Sequence, residues 1–180
     1  VPDILAMGTN TDPYQPIERK LELTRRILQV LADHKHPVRI VTKSNLVVRD
    51  ADILGPMAEK GLADVFISVT TLDRSLARKM EPRAPTPERR LDAIRALTDA
   101  GIPTGVSVAP IIPGLTDTEL EEILARAAGA GARDAAYVSL RLPLEIKKLF
   151  TEWLNEAVPN RAERVLNRLR GLHGGKLYDS

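Results

Sequence analysis

The 180-residue chain predicts an α/β fold with parallel strands, and three features carry that expectation. Five short apolar runs recur along it. Amphipathic stretches of helical period separate them, and glycines, prolines and capping residues punctuate the joints. Runs of Val and Ile without polar alternation read as strands buried on both faces. Strict βα alternation implies parallel strands joined by right-handed crossovers. A barrel and an open doubly wound sheet both satisfy the pattern. In either, ligands sit at the C-terminal ends of the strands.

The apolar runs lie at 3–7, 38–42, 65–69, 104–109 and 135–140. Ile17, Leu21, Leu28 and Leu31 fall on one face of a first helix. Thr86 stands at a cap position with Pro87 behind it, and Leu91, Ile94 and Leu97 follow at helical spacing. Thr116 and Glu119 have the spacing of a capping box ahead of Leu120, Ile123 and Leu124. Gly101, Gly129 and Gly131 stand where helices stop. Leu149, Trp153 and Ala157 mark a later helix, and Val165 and Leu169 a last one after Asn160.

Composition narrows the function classes. The apolar share of 43% builds an ordinary core, and the length suits one domain. No stretch approaches the roughly 20 apolar residues of a membrane helix, so no membrane partner is expected. The net charge of +2 is too mild to argue for nucleic acid by itself. There is no cysteine, which excludes disulfides, thiolate metal ligands and thiol nucleophiles within these residues. A cytoplasmic setting is the default expectation. The chain opens on Val1 rather than Met, as an excised fragment would.

The strand ends carry the chemistry. Gly8-Thr-Asn-Thr-Asp-Pro-Tyr14 follows the first run, and Lys43 and Ser44 the second. Ser68, Thr70 and Thr71 lie in and after the third, ahead of Met80-Glu-Pro-Arg83. Ala109-Pro-Ile-Ile-Pro-Gly114 follows the fourth, and Ser139, Arg141 and Pro143 the fifth. Carboxylate, ammonium, guanidinium and hydroxyls on one rim suit a small zwitterionic ligand with hydroxyl groups. Each has a plainer reading. Thr9, Asn10 and Thr11 can cap the next helix, Lys43 can snorkel to solvent, and Ser68 can bond a backbone carbonyl. Arg83 and Arg141 can be surface ion pairs.

Other signals are weak. His34 and His36 precede the second run, at the end opposite the expected site, and a zinc site needs three or four ligands. Gly171 to Gly175 lack a preceding strand and P-loop spacing. Arg161, Arg164, Arg168 and Arg170 read as the solvated face of a last helix, with a phosphate-contacting strip as the alternative.

Five segments in order, LAMGTNTDPYQPIE, RIVTKS, ISVTTLD followed by MEPRAP, PERRLDAIRALTDAGIP and VAPIIPGLTD, resemble the radical S-adenosylmethionine (radical SAM) family. More narrowly, they are similar to its branch related to spore photoproduct lyase. The resemblance implies a partial TIM-type barrel over about 1–142, with a helical extension over about 143–172. It also implies S-adenosylmethionine cleaved at a [4Fe–4S] cluster to a 5′-deoxyadenosyl radical. The family's cluster is held by a Cys-x3-Cys-x2-Cys loop after its first strand. Without cysteine this chain cannot ligate the cluster, and its first strand matches the family's second. The expectation is therefore a fragment lacking the first βα unit, inactive as it stands, with no catalytic or metal-binding residue of its own.

By that match Asn10, Thr11 and Asp12 contact the amino group of S-adenosylmethionine and Lys43 its carboxylate. Ser68 contacts the ribose, and Val108, Ala109 and Ile111 lie along adenine. Tyr14, Arg83 and Arg141 are candidates to line the substrate space. Asn10 stands where the lyase has a hydrogen-donating cysteine, which argues against the lyase reaction. The substrate is unspecified, with nucleic acid among the candidates. Two other functions fit the residues. One is a Schiff-base aldolase using Lys43, and the other is a non-catalytic nucleic-acid-binding module using the last helix.

Overall fold

The computed structural model describes residues 2–177. Its strands are β1 (Leu5–Met7), β2 (Val38–Thr42), β3 (Ala63–Ser68), β4 (Thr104–Ile111) and β5 (Asp134–Ser139). They form one open parallel sheet in the order β1-β2-β3-β4-β5. The helices are α1 (Glu18–Leu21), α2 (Leu23–Asp33), α3 (Ala51–Ala58), α4 (Arg74–Met80), α5 (Pro87–Asp99), α6 (Leu120–Gly129), α7 (Ile146–Ala157) and α8 (Pro159–Leu172).

Register and burial separate the two faces of the sheet. Val38, Ile40, Val65, Ile67, Val106 and Val108 are buried beneath the helices with Leu28, Leu54, Ile94, Leu97 and Ile123. The opposite face carries Arg39, Asp64, Phe66, Ser68, Gly105 and Ser107 in alternation. Arg39 pairs with Asp64 through two hydrogen bonds of 2.7 Å and lies over the Phe66 ring at 5.2 Å. A Cβ on Gly105 would stand 2.5 Å from that ring, so only glycine lets Phe66 lie flat across β4. One face is thus a core and the other a polar concavity, as in a barrel left open. All six residues of β5 are exposed.

The structure corrects several local expectations. The first helix is two. Glu22 adopts φ +51° between them, and the Glu18 carboxylate accepts from the N–H groups of Leu23 (3.1 Å) and Thr24 (3.0 Å), capping α2. Ile17 and Leu21 are consequently exposed while Leu28 is buried. The Thr116/Glu119 capping box does not form. Thr116 Oγ1 accepts from Ile112 N at 2.9 Å, and Glu119 turns to the loop after β3, accepting from Thr71 Oγ1 (2.7 Å) and Leu72 N (2.6 Å). Thr86 takes the cap position with Pro87 at the first turn, without a side-chain cap bond. Two helices, α4 and α5, lie between β3 and β4 where one was expected.

Helices α7 and α8 build a second core. Leu154, Ala162, Val165 and Leu169 pack with Leu76, Ile112, Leu115 and Leu142, residues that follow β3, β4 and β5. The C-terminal helices therefore pack against the segments that follow β3, β4 and β5, the end of the sheet where the sequence predicts ligand chemistry.

Candidate functional site

Gly8 makes the loop after β1 possible. Its φ is +100°, and a Cβ there would stand 1.9 Å from the Val41 carbonyl oxygen. That close approach carries Asp12 onto the end of β2. Asp12 Oδ1 accepts from Thr42 Oγ1 (2.7 Å) and Tyr14 N (2.9 Å), and Oδ2 accepts from Lys43 N (2.8 Å). A carboxylate offers about four acceptor positions, so one remains for a ligand. Lys43 Nζ lies 3.7 Å from Glu81 Oε1, its side chain 36% exposed. Half-exposed and beside a carboxylate, it lacks the apolar enclosure that activates a Schiff-base amine.

Glu81 and Arg90 organise the rim, and the sequence reading assigned neither a role. Arg90 is 1% exposed. Its guanidinium donates to Glu81 Oε2, to the Ser68 carbonyl (3.1 Å) and to the Pro85 carbonyl (2.9 Å). Thr70 Oγ1 also donates to Glu81 Oε2 at 3.3 Å. One buried arginine thereby ties the end of β3 to the Glu81–Pro85 loop. A signal was available: Arg90 shares the apolar stripe of Ile94 and Leu97 at helical spacing, and a cation in such a stripe needs a carboxylate partner.

Ser68 and Ser107 are in register on the concave face, 4% and 7% exposed. The pair stands on the same face as Arg39, Asp64 and Phe66, opposite the helix-covered core. Ala109 follows Ser107 on the same face and is half-buried, as is Ile111. Val108 is turned to the helix-covered core at 1% exposure. Sequence reasoning missed Ser107, although its two-residue spacing from Ala109 marked it.

A cavity of about 670 Å³ collects part of the expected set. Thr11, Asp12, Tyr14, Lys43 and Arg83 line it, along with Glu81, Arg19 and Arg89. Asn10, Ser68, Val108, Ala109, Ile111 and Arg141 are not among its lining residues. Tyr14 borders it with its hydroxyl turned inward, donating to Asp50 Oδ2 at 3.1 Å. Burial, then the neighbouring Asp50 charge, push the Tyr14 pKa well above the usual phenol range. Asp50 also accepts from Arg25 Nη1 (3.0 Å) and Arg49 Nε (2.7 Å), closing a buried network beneath the cavity floor. His36 Nδ1 meets the Pro37 carbonyl ahead of β2, and no group of three His, Asp or Glu among the described residues is placed to hold a metal.

The model of the Radical SAM superfamily matches residues 2–127. The chain belongs to the radical SAM superfamily. It is 36% identical over 164 residues to an uncharacterised protein of Mycobacterium tuberculosis, covering 90% of this chain and 48% of that one. An uncharacterised Methanocaldococcus jannaschii protein is 35% identical over 113 residues, 63% of this chain and 42% of its own. The chain thus spans about half the length of the curated relatives it matches. Among solved structures, a spore photoproduct lyase variant with bound S-adenosylmethionine and dinucleoside spore photoproduct superposes with a TM-score of 0.62 at 22% identity, over 89% of this chain and 47% of that one. A Streptococcus suis protein, SuiB, bound to S-adenosylmethionine gives a TM-score of 0.55 at 13% identity, over 85% of this chain and 37% of that one. These likenesses show the radical SAM partial-barrel fold with its open parallel sheet. No helix among the described residues is long and apolar enough to cross a membrane.

Proposed function

We propose that these residues form the S-adenosylmethionine-holding wall of a radical SAM enzyme. Its iron–sulfur cluster would be held by cysteines outside them. The residues present do not fit a cluster: there is no cysteine, and among the described residues no acidic or histidine group is placed to replace one. They do fit S-adenosylmethionine, which supplies the sulfonium bond that radical SAM enzymes break.

The observation that carries this reading is the in-register pair of hydroxyls, Ser68 and Ser107, on the face opposite the core, in a fold whose strand ends also bear the Lys43 ammonium and the Asp12 and Glu81 carboxylates. Lys43 would pair with the methionine carboxylate as a compact cation. The remaining acceptor position of Asp12, with Thr11 and Asn10, would receive the ammonium. Ser68 would hold the ribose, and Ala109 and Ile111 would lie along adenine, with Val108 backing them from the core. Photo-crosslinking with S-adenosylmethionine bearing an 8-azido adenine tests this placement. Labelling confined to 107–111 and its neighbours on β3 is expected. Labelling of α2, α6 or α8 instead would sink it.

A further inference from the structure

Three arginines stand unpaired around one cavity. Arg19, Arg83 and Arg89 all line the 670 Å³ space, all are exposed, and none forms an ion pair or side-chain hydrogen bond among the described residues. The lining carries four cations, with Lys43, against two carboxylates, Asp12 and Glu81. Both carboxylates are engaged. Asp12 accepts from Thr42, Lys43 N and Tyr14 N, and Glu81 is held by Arg90 from behind the wall. The lining therefore carries two more positive than negative charges, in a chain whose net charge is only +2.

Arg83 is also presented rigidly. Pro82 and Pro85 bracket its turn, Ala84 N donates to the Glu81 carbonyl at 3.0 Å, and Arg90 fixes the Pro85 carbonyl at 2.9 Å. Planar guanidiniums converging on one space match tetrahedral oxyanions with several acceptors. We infer that this cavity receives a phosphate-bearing group of the substrate, grasped by Arg83 and Arg89 with Arg19 at the mouth. The inference rests on the proposed function, since it names the substrate class for the same cavity. A nucleic-acid backbone and a small phosphate ester would both present this chemistry.

The test is titration of the full chain, without S-adenosylmethionine, with tripolyphosphate and separately with a single-stranded oligodeoxynucleotide. The variants are Arg83→Ala, Arg89→Ala, Arg83→Lys and, as control, Arg126→Ala on α6. Each cavity Arg→Ala change should weaken tripolyphosphate binding about tenfold. Arg83→Lys should recover part of that, and Arg126→Ala should change nothing. If the oligonucleotide shows the same losses, with a salt slope shallower by about 0.7 per removed arginine, the group belongs to a strand. If only tripolyphosphate binds, it belongs to a small ester. Binding to neither, equal binding by the Arg83 and Arg89 variants, or preference for citrate over tripolyphosphate would overturn the inference. The proposed S-adenosylmethionine contacts use none of these arginines, so either claim can fail alone.

Discussion

Gly8, Arg90 and Tyr14 each carry a consequence that one substitution exposes. Gly8→Ala places a Cβ against the Val41 carbonyl at a φ of +100°. Such backbone strain costs about 1–3 kcal/mol, and the displaced loop carries Asp12 away from Lys43 N. A lowered melting temperature together with weakened ligand binding is expected. Arg90→Leu leaves Glu81, in the loop after α4, without its guanidinium and unties that loop from the end of β3. Breaking a buried pair from one side costs about 3–5 kcal/mol, so urea unfolding should show a loss of that size, and a loss under about 1 kcal/mol would refute the anchoring role. Tyr14 is kept neutral by burial and by Asp50, so its pKa lies above the ordinary 10.0. The unfolded chain then releases a proton that the folded chain retains. The stability from Tyr14 is full below about pH 10 and declines as pH rises above it. Tyr14→Phe should flatten that alkaline decline in a melting series while lowering stability at neutral pH, where the bond to Asp50 is lost.

The elements differ in how well they are covered. Strands β2, β3 and β4 have neighbours on both sides, whereas β1 and β5 are edges. Leu5 on β1 is exposed, as are Ile17 just ahead of α1, Leu21 on α1, and Leu23, Ile27 and Val30 on α2. On β5, Tyr137 is 71% exposed. Unpaired edges flanked by apolar surface drive association. Sedimentation should therefore show concentration-dependent self-association, reduced in Ile27→Lys; a strict monomer at high concentration would contradict this. The strands were legible because those buried on both faces leave unbroken Val and Ile runs, and all five runs overlap observed strands. The break at Glu22 was not legible, because it depends on the Glu18 carboxylate capping α2, and glutamate is an ordinary helix former. Glu119 deceived for a similar reason: its spacing from Thr116 suits a local cap, but the N–H and hydroxyl at Thr71 and Leu72 are contacts that spacing along a helix cannot reveal. The strand-end rule pointed to Asp12, Lys43 and Ser68, which lie in the loop after β1, directly after β2 and at the last position of β3. Arg90 and Ser107 went unassigned because their importance lies in what crosses between elements.

The whole molecule is a core of helices beneath a half-open sheet, with a second core of α7 and α8 bracing the strand ends. The matched lyase and SuiB structures superpose on 85–89% of this chain and on less than half of their own lengths. The central claim is that this wall holds S-adenosylmethionine. Isothermal titration calorimetry of the chain with S-adenosylmethionine tests it most directly, with Lys43→Ala and Ser68→Val alongside. Asp12→Ala is a poor probe, because its carboxylate also holds Thr42 and Lys43 N in place. Saturable binding near or tighter than about 1 mM, about 4 kcal/mol, is expected, weakened in both variants while their melting temperatures stay near that of the parent chain. No saturable binding to a folded chain, or equal binding by both variants, would contradict the account.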